Sequence, residues 1–280
     1  MIAQPGPDGL HGHPVTAKLT HFDKFAADRV VRMTVFRRIS DAHNRAVIHG
    51  DPARALYMQE EGVDRAGDPH QFQAAPGQTM MTAADAAGID IPRLCFREGR
   101  DAYGACRVCT VLVNGRPQAA CTQPAAPGIV VENETDELLE VRKQIIEMLF
   151  VEGNHFCMFC EKSGNCELQA LGYRFGVFAP TLPYLFPQRE IDATHPEVFV
   201  DRNRCVLCAR CVRASRDVDG KHVFQFTGRG IEKKISVNST ASLAGTELKG
   251  ADTAVDACPV GAILKRGVGY KVPIGERLYD

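Results

Sequence analysis

The sequence predicts an α+β chain made of several small cysteine-rich domains, and three observations carry that expectation. Short runs rich in β-branched and aromatic residues are bounded by Gly and Pro turns. One long amphipathic helix, following Thr135, stands between them. Eleven cysteines fall into three tight groups, all beyond residue 94.

Taken in order, residues 1–52 form an N-terminal extension of unknown role. Their stretch KLTHFDKFAADRVVRMTVFRRISDA carries Lys18, Lys24, Arg29, Arg32, Arg37 and Arg38 against few acids. It reads either as a docking helix for a partner or as a solvated extension. His11, His13, His21, His43 and His49 are too scattered for a metal tract and read as surface residues. Residues 54–60 (RALYMQE) and 70–75 (HQFQAA) read as strands, followed by the turn Pro76-Gly77 and a small-residue helix over 80–87 that Gly88 ends. A cysteine loop and a hairpin turning at Asn114-Gly115 complete a β-grasp pattern over 53–130.

Thr135 is the expected N-cap of the long helix, with Leu138, Val141, Ile145, Met148 and Leu149 on its core face and Gly153 at its end. That helix leads into a second cysteine segment over 131–195. Its tail, QALGYRFGVFAPTLPYLFPQ, reads as an extended connector that shields the site from water. Residues 196–280 hold the third group, with strand-like EVFVD and HVFQFTGR around it and 231–256 as an excursion returning to Cys258.

Bulk properties exclude several classes. The 280 residues are 45 % apolar and 24 % charged, which is neither disordered nor fibrous. A net charge of −1 offers no general attraction for nucleic acid or anionic lipid. No apolar run approaches the roughly 20 residues of a membrane helix, and the N-terminus lacks the charged start and apolar core of a secretory signal. A cytoplasmic location is expected, where this many cysteines point to metal rather than to disulfides.

The first group is Cys95, Cys106, Cys109 and Cys121, spaced C-x10-C-x2-C-x11-C. A long first gap, a tight pair and a distant fourth thiolate resemble plant-type [2Fe–2S] ferredoxins, whose first gap is shorter. Gly104 beside Cys106 suits a loop that turns its amides inward. Cys157, Cys160 and Cys166 form the second group and lack a fourth donor. His155 is the nearest candidate, because neutral imidazole can replace thiolate at iron; the alternative is a capping or surface histidine. The third group, Cys205, Cys208 and Cys211 with the remote Cys258-Pro259, resembles half of a bacterial-type ferredoxin and implies one [4Fe–4S] centre. The groups hold four, three and four cysteines with none left over, so three four-ligand sites require one non-cysteine donor. Zinc is the rival occupant, although structural zinc usually pairs two short hooks rather than three closely spaced thiolates. A zinc-binding scaffold protein is the corresponding rival function. Arg107, Lys162 and Arg210, beside cysteines, are candidates for tuning potentials or are ordinary solvated charges.

The order of these three motifs resembles the N-terminal iron–sulfur region of the large peripheral subunit of respiratory complex I. EGNHFCMFCEKSGNCELQALGY, DRNRCVLCARCV, ACPVGAIL and VGYKVPIGERLYD look like the diaphorase small subunits of cytoplasmic NAD-reducing [NiFe] hydrogenases, over roughly 53–280. The complex I-like relatives carry their histidine as H-x3-C; this chain has Gly153 there and His155 two residues before Cys157. The resemblance implies one [2Fe–2S] and two [4Fe–4S] clusters and an electron relay with no catalytic site of its own. It also implies FMN and NAD(H) on a diaphorase large subunit, and [NiFe] hydrogenase small and large subunits as further partners. A NAD-dependent formate dehydrogenase or a complex I-like module would use the same relay. No Gly-x-Gly-x-x-Gly, Walker A loop or nucleophile elbow is present to suggest direct nucleotide binding or covalent catalysis.

Overall fold

The computed structural model describes residues 31–37, 70–75 and 77–279. A five-stranded sheet comes first, with strand order β2-β1-β5-β3-β4. Its members are β1 (Val31–Arg37), β2 (His70–Ala74), β3 (Thr110–Val113), β4 (Arg116–Ala119) and β5 (Val130–Glu134). β1 is an interior strand next to the edge strand β2, antiparallel to β2 and parallel to β5. This corrects the helical reading of the basic stretch: VRMTVFR alternates apolar and polar residues and is rich in β-branched side chains, and the sheet supplies hydrogen bonds on both edges. The strand expected at 54–60 lies outside the described residues, as do the scattered N-terminal histidines.

β3 and β4 form the expected hairpin, and its turn residues Asn114 and Gly115 both take positive φ, 49° and 77°. Helix α1 (Met80–Ala86) is capped by Thr79, whose hydroxyl accepts from Thr82 N, and Gly88 follows it at φ 71°. It buries Met80, Met81, Ala83 and Ala84 against Val111, Ala119 and Val131 of the sheet.

Helix α2 (Asp136–Val151) begins at Thr135, whose hydroxyl accepts from Leu138 N. Its buried face is Leu138, Arg142, Ile146, Glu147 and Val151, whereas Met148 is 44 % exposed. Leu138, Ile145 and Leu149 of the stripe read from the sequence do pack inward, but the buried face is wider than that stripe because two charged side chains find partners inside. Arg142 donates to the Asn133 carbonyl, to Asn133 Oδ1 and to the Thr110 carbonyl at 2.7–2.8 Å. Glu147 accepts from the backbone N–H groups of Thr181 and Leu182. Part of the expected extended connector is helical: α3 (Glu167–Arg174) buries Leu168 and Leu171, and only from Gly176 does the chain run irregularly.

The last third packs a sheet of order β10-β7-β6 beside a hairpin of β8 (Phe224–Thr227) and β9 (Lys234–Val237). The sheet comprises β6 (Ile191–Asp192), β7 (Val198–Asp201) and β10 (Ile263–Lys265). Helices α4 (Arg210–Asp217) and α5 (Thr253–Asp256) complete the second core, which reaches back to Leu94, Cys95, Cys106 and Val108. Among the described residues no helix is long and apolar enough to cross a membrane.

Candidate metal centres

All eleven cysteines are unpaired, and all but Cys157 and Cys205 are buried. The backbone around them is unusual. Arg107, between Cys106 and Cys109, has φ 61°, and Leu207 and Ala209, between the thiols of the third group, have φ 52° and 59°. Left-handed non-glycine residues cost of order 1–3 kcal/mol each and collect where a ligand is held. Such turns aim successive N–H groups into a concavity suited to anions. Gly104 takes φ 67°, and a Cβ there would lie 2.9 Å from Thr122 Cγ2.

The first group comes together between α1, the loop at 95–109 and the end of β4. Cys95 N donates to Cys106 Sγ at 3.3 Å. The thiols are close enough to set one another's protonation. Hydrogen bonds from Cys106 and Cys121 hold Cys95 far down, and Cys121 draws Cys109 to about 7. Cys106 is pushed up by its bond to Cys95, and Cys121 by its bonds to Cys109 and Cys95.

Cys157, Cys160 and Cys166 line one hollow with His155, Phe150, Ser163, Gln169, Arg204 and Gly261, enclosing about 290 Å³ with the solvent at its mouth included. His155 Nε2 is buried and has no hydrogen-bond partner. Burial foremost, then the charge of Arg204, lowers the His155 imidazole to about 4 against the pull of Asp201, so it is neutral at pH 7. Burial pushes the thiols up, Cys166 to about 12. Arg204 donates to Cys160 Sγ at 3.6 Å and pairs with Glu161 at 2.9 Å and Asp201 at 3.0 Å. Gly261 is needed here, since a Cβ would stand 2.5 Å from Cys160 Sγ.

The third group closes as the spacing predicts: Cys205, Cys208, Cys211 and Cys258 share one hollow, walled by Val206, Phe226, Ile235, Val260 and Ile263. Burial raises Cys205 to about 11 and raises Cys208 and Cys211 further. Buried thiols of this kind yield their protons to a bound metal rather than to water. Among the described residues no three His, Cys, Asp or Glu side chains are disposed to hold a single metal ion. The thiols of the second group, with His155, and those of the third each line a hollow, and such sets of soft donors suit iron–sulfur clusters.

The groups are also tied to one another. Arg210 of α4, 2 % exposed, makes two 2.6 Å bonds to the carboxylate of Glu167, the residue after Cys166, and a third bond to the carbonyl of Phe96, the residue after Cys95. Glu167 N donates to the carbonyl of Pro259, the residue after Cys258. Sequence reading singled out Arg210 but missed Arg204, whose one signal was a cation directly preceding Cys205.

Three family models match in the same order: a 2Fe-2S iron-sulfur cluster binding domain over 65–136, the NADH-ubiquinone oxidoreductase-G iron-sulfur binding region over 142–180, and the ferredoxin-like domain of NADH-quinone oxidoreductase subunit 3 over 195–264. The NAD-reducing hydrogenase HoxS subunit gamma of Cupriavidus necator is 42 % identical over 205 residues, covering 73 % of this chain and 87 % of that one. The 78 kDa subunit of mitochondrial NADH-ubiquinone oxidoreductase of Candida albicans is 30 % identical over 208 residues, but only 28 % of that longer protein is covered. A chain in the crystal structure of an NAD+-reducing [NiFe]-hydrogenase in the H2-reduced state superposes with a TM-score of 0.73 at 46 % identity, covering 75 % of this chain and 90 % of that one. On these relationships the chain belongs to the family of the gamma subunits of NAD-reducing hydrogenases.

Proposed function

We propose that this chain is the iron–sulfur relay subunit of an NAD-reducing hydrogenase, carrying electrons between a [NiFe] hydrogenase module and an FMN/NAD(H)-binding diaphorase subunit. The observation that carries this reading is the convergence of the cysteines, with His155, on three separate sites within a chain of this family. Cys95, Cys106, Cys109 and Cys121 would hold a [2Fe–2S] cluster in a β-grasp ferredoxin domain over 53–130 that also recruits β1. His155, Cys157, Cys160 and Cys166 would hold a [4Fe–4S] cluster in the segment 131–195. Cys205, Cys208, Cys211 and Cys258 would hold another in the ferredoxin-like domain over 196–280.

Such clusters, when bound, accept and release single electrons. The remaining work is done by the chain's own residues. Left-handed backbone at Arg107, Leu207 and Ala209 turns amides toward the cysteine loops. Phe226, Ile235 and Val260 keep water from the third hollow. Arg204 places a donor on Cys160 Sγ. His155 Nε2, neutral and without another partner, is the donor that completes the second set. Hydride exchange with NAD(H) needs a flavin to divide electron pairs, and that role falls to the partner subunit. The same reading places the assembly in the cytoplasm.

Affinity purification of the tagged full-length chain from its own cells, without oxygen, tests the assignment. Nickel and FMN in the recovered complex are the expected result. Molybdenum in place of nickel would instead assign the relay to a formate dehydrogenase.

A further inference from the structure

Arg213 lies two residues past Cys211 on α4 and is 5 % exposed. Its guanidinium donates to four backbone carbonyls. Nε bonds Ala209 at 3.3 Å, Nη1 bonds Asp101, and Nη2 bonds Cys95 at 2.7 Å and Cys208 at 3.5 Å. Two of these carbonyls belong to cysteines, one in the first group and one in the third. The guanidinium also lies 5.8 Å from the ring centroid of Tyr103, which stacks at 6.4 Å on Phe226, a wall of the third hollow.

What distinguishes Arg213 from its neighbours is that no carboxylate is bonded to it among the described residues. Arg210 is matched by Glu167, and Arg204 by Glu161 and Asp201. No carboxylate forms an ion pair with Arg213 among the described residues; Asp217, on the same helix, feels its charge but is bound to Arg216 at 2.5 Å. Carbonyl dipoles solvate a guanidinium but do not neutralise it, and a buried cation without an anion is strongly unfavourable. Its carbonyl partners place it between the loops of the first and third cysteine groups, whose thiols would carry negative charge once metal is bound.

We propose that Arg213 is the shared counter-charge of the first and third cysteine-ligated centres, and that its positive charge raises the midpoint potentials of both. This rests on the iron–sulfur reading given above. Reduction adds one electron to a centre, and a fixed cation nearby favours the more negative state; in a water-poor interior that effect is poorly screened. Because one guanidinium touches both cysteine loops, its removal shifts the two centres in the same direction. The second centre, whose neighbouring cation is Arg204, is left unshifted.

The test is a redox titration of the full-length, anaerobically purified, iron-loaded chain, followed by low-temperature EPR, in wild type, Arg213→Gln and Arg213→Lys. In Arg213→Gln the reduction equilibria of both the first and third centres are expected to become at least about tenfold less favourable, equivalent to about 59 mV for one electron. Arg213→Lys, which keeps the charge, is expected to shift both by less than Arg213→Gln. An iron-replete Arg213→Gln chain with both midpoints unmoved, or only one moved, would overturn the assignment. If Arg213→Gln takes up no iron, Arg213→Lys decides: a tenfold loss at both centres despite the retained charge overturns it, and near wild-type midpoints support it. A wild-type chain without iron would remove the reading beneath, which is a different failure from iron-replete chains with unmoved midpoints.

Discussion

The imidazole of His155 lies directly over the backbone of Gly153: a Cβ at position 153 would stand 2.7 Å from His155 Nε2 and 2.8 Å from the carbonyl oxygen of Asn203. The ring therefore occupies space that any side chain at 153 would fill. In the complex I-like pattern that position is itself the histidine. An imidazole at 155 in this position requires the glycine beneath it.

Gly153→Ala should consequently displace either the His155 ring or the Asn203 carbonyl. A loss of about 1–3 kcal/mol is expected from overpacking at a closed site, read by denaturant unfolding. If His155 is a ligand, the EPR signal of one centre changes and the other two stay as in wild type, and His155→Ala reproduces the same pattern. Unchanged spectra in both variants would remove His155 from the ligand set.

Gly261 makes an equivalent demand on the opposite wall of that hollow. A methyl there would press on Cys160 Sγ at 2.5 Å and approach Arg204 at 3.4 Å. Gly261→Ala is expected to expel the second centre selectively, lowering iron from about ten to about six atoms per chain. Retention of all the iron by the variant would show that the sulfur can move aside.

Acid stability has an identifiable contributor at the start of α5. Burial alone would raise the Asp252 carboxyl, but the Lys221 ammonium at 2.6 Å and the Lys249 N–H outweigh it and hold the group below its usual value. A carboxylate depressed in the folded state stabilises the fold above its unfolded value of about 3.9, and that contribution fades as pH falls through the folded value. Asp252→Asn should cost about 1–3 kcal/mol at pH 7. It should also flatten the loss of stability below about pH 4, measurable by denaturant unfolding across a pH series. An unchanged acid limb would assign that loss to other carboxylates.

Features written in local sequence were legible before the structure. The Asn114-Gly115 hairpin, the Thr135 cap, the grouping of the cysteines and the return of Cys258 to Cys205, Cys208 and Cys211 all depend on turn chemistry or on ligand spacing. β1 was not legible as a strand, because seven residues with basic flanks read equally as a charged helix until β2 and β5 pair with them. The inward face of α2 was legible only in part because apolar periodicity counts Arg142 as solvated, while its acceptors are Asn133, on β5, and the carbonyl of Thr110, 32 residues away. Arg213 was invisible for the same reason. Its acceptors at Cys95 and Asp101 lie more than a hundred positions upstream, and no local pattern announces a cation whose hydrogen bonds all go to carbonyls.

Metal and acid-labile sulfide analysis with low-temperature EPR on the anaerobically purified protein tests most directly whether this chain carries three iron–sulfur centres. About ten irons and matching sulfide per chain, with one [2Fe–2S] and two [4Fe–4S] signals, is the predicted result. Zinc without sulfide, in a protein silent by EPR, would contradict it.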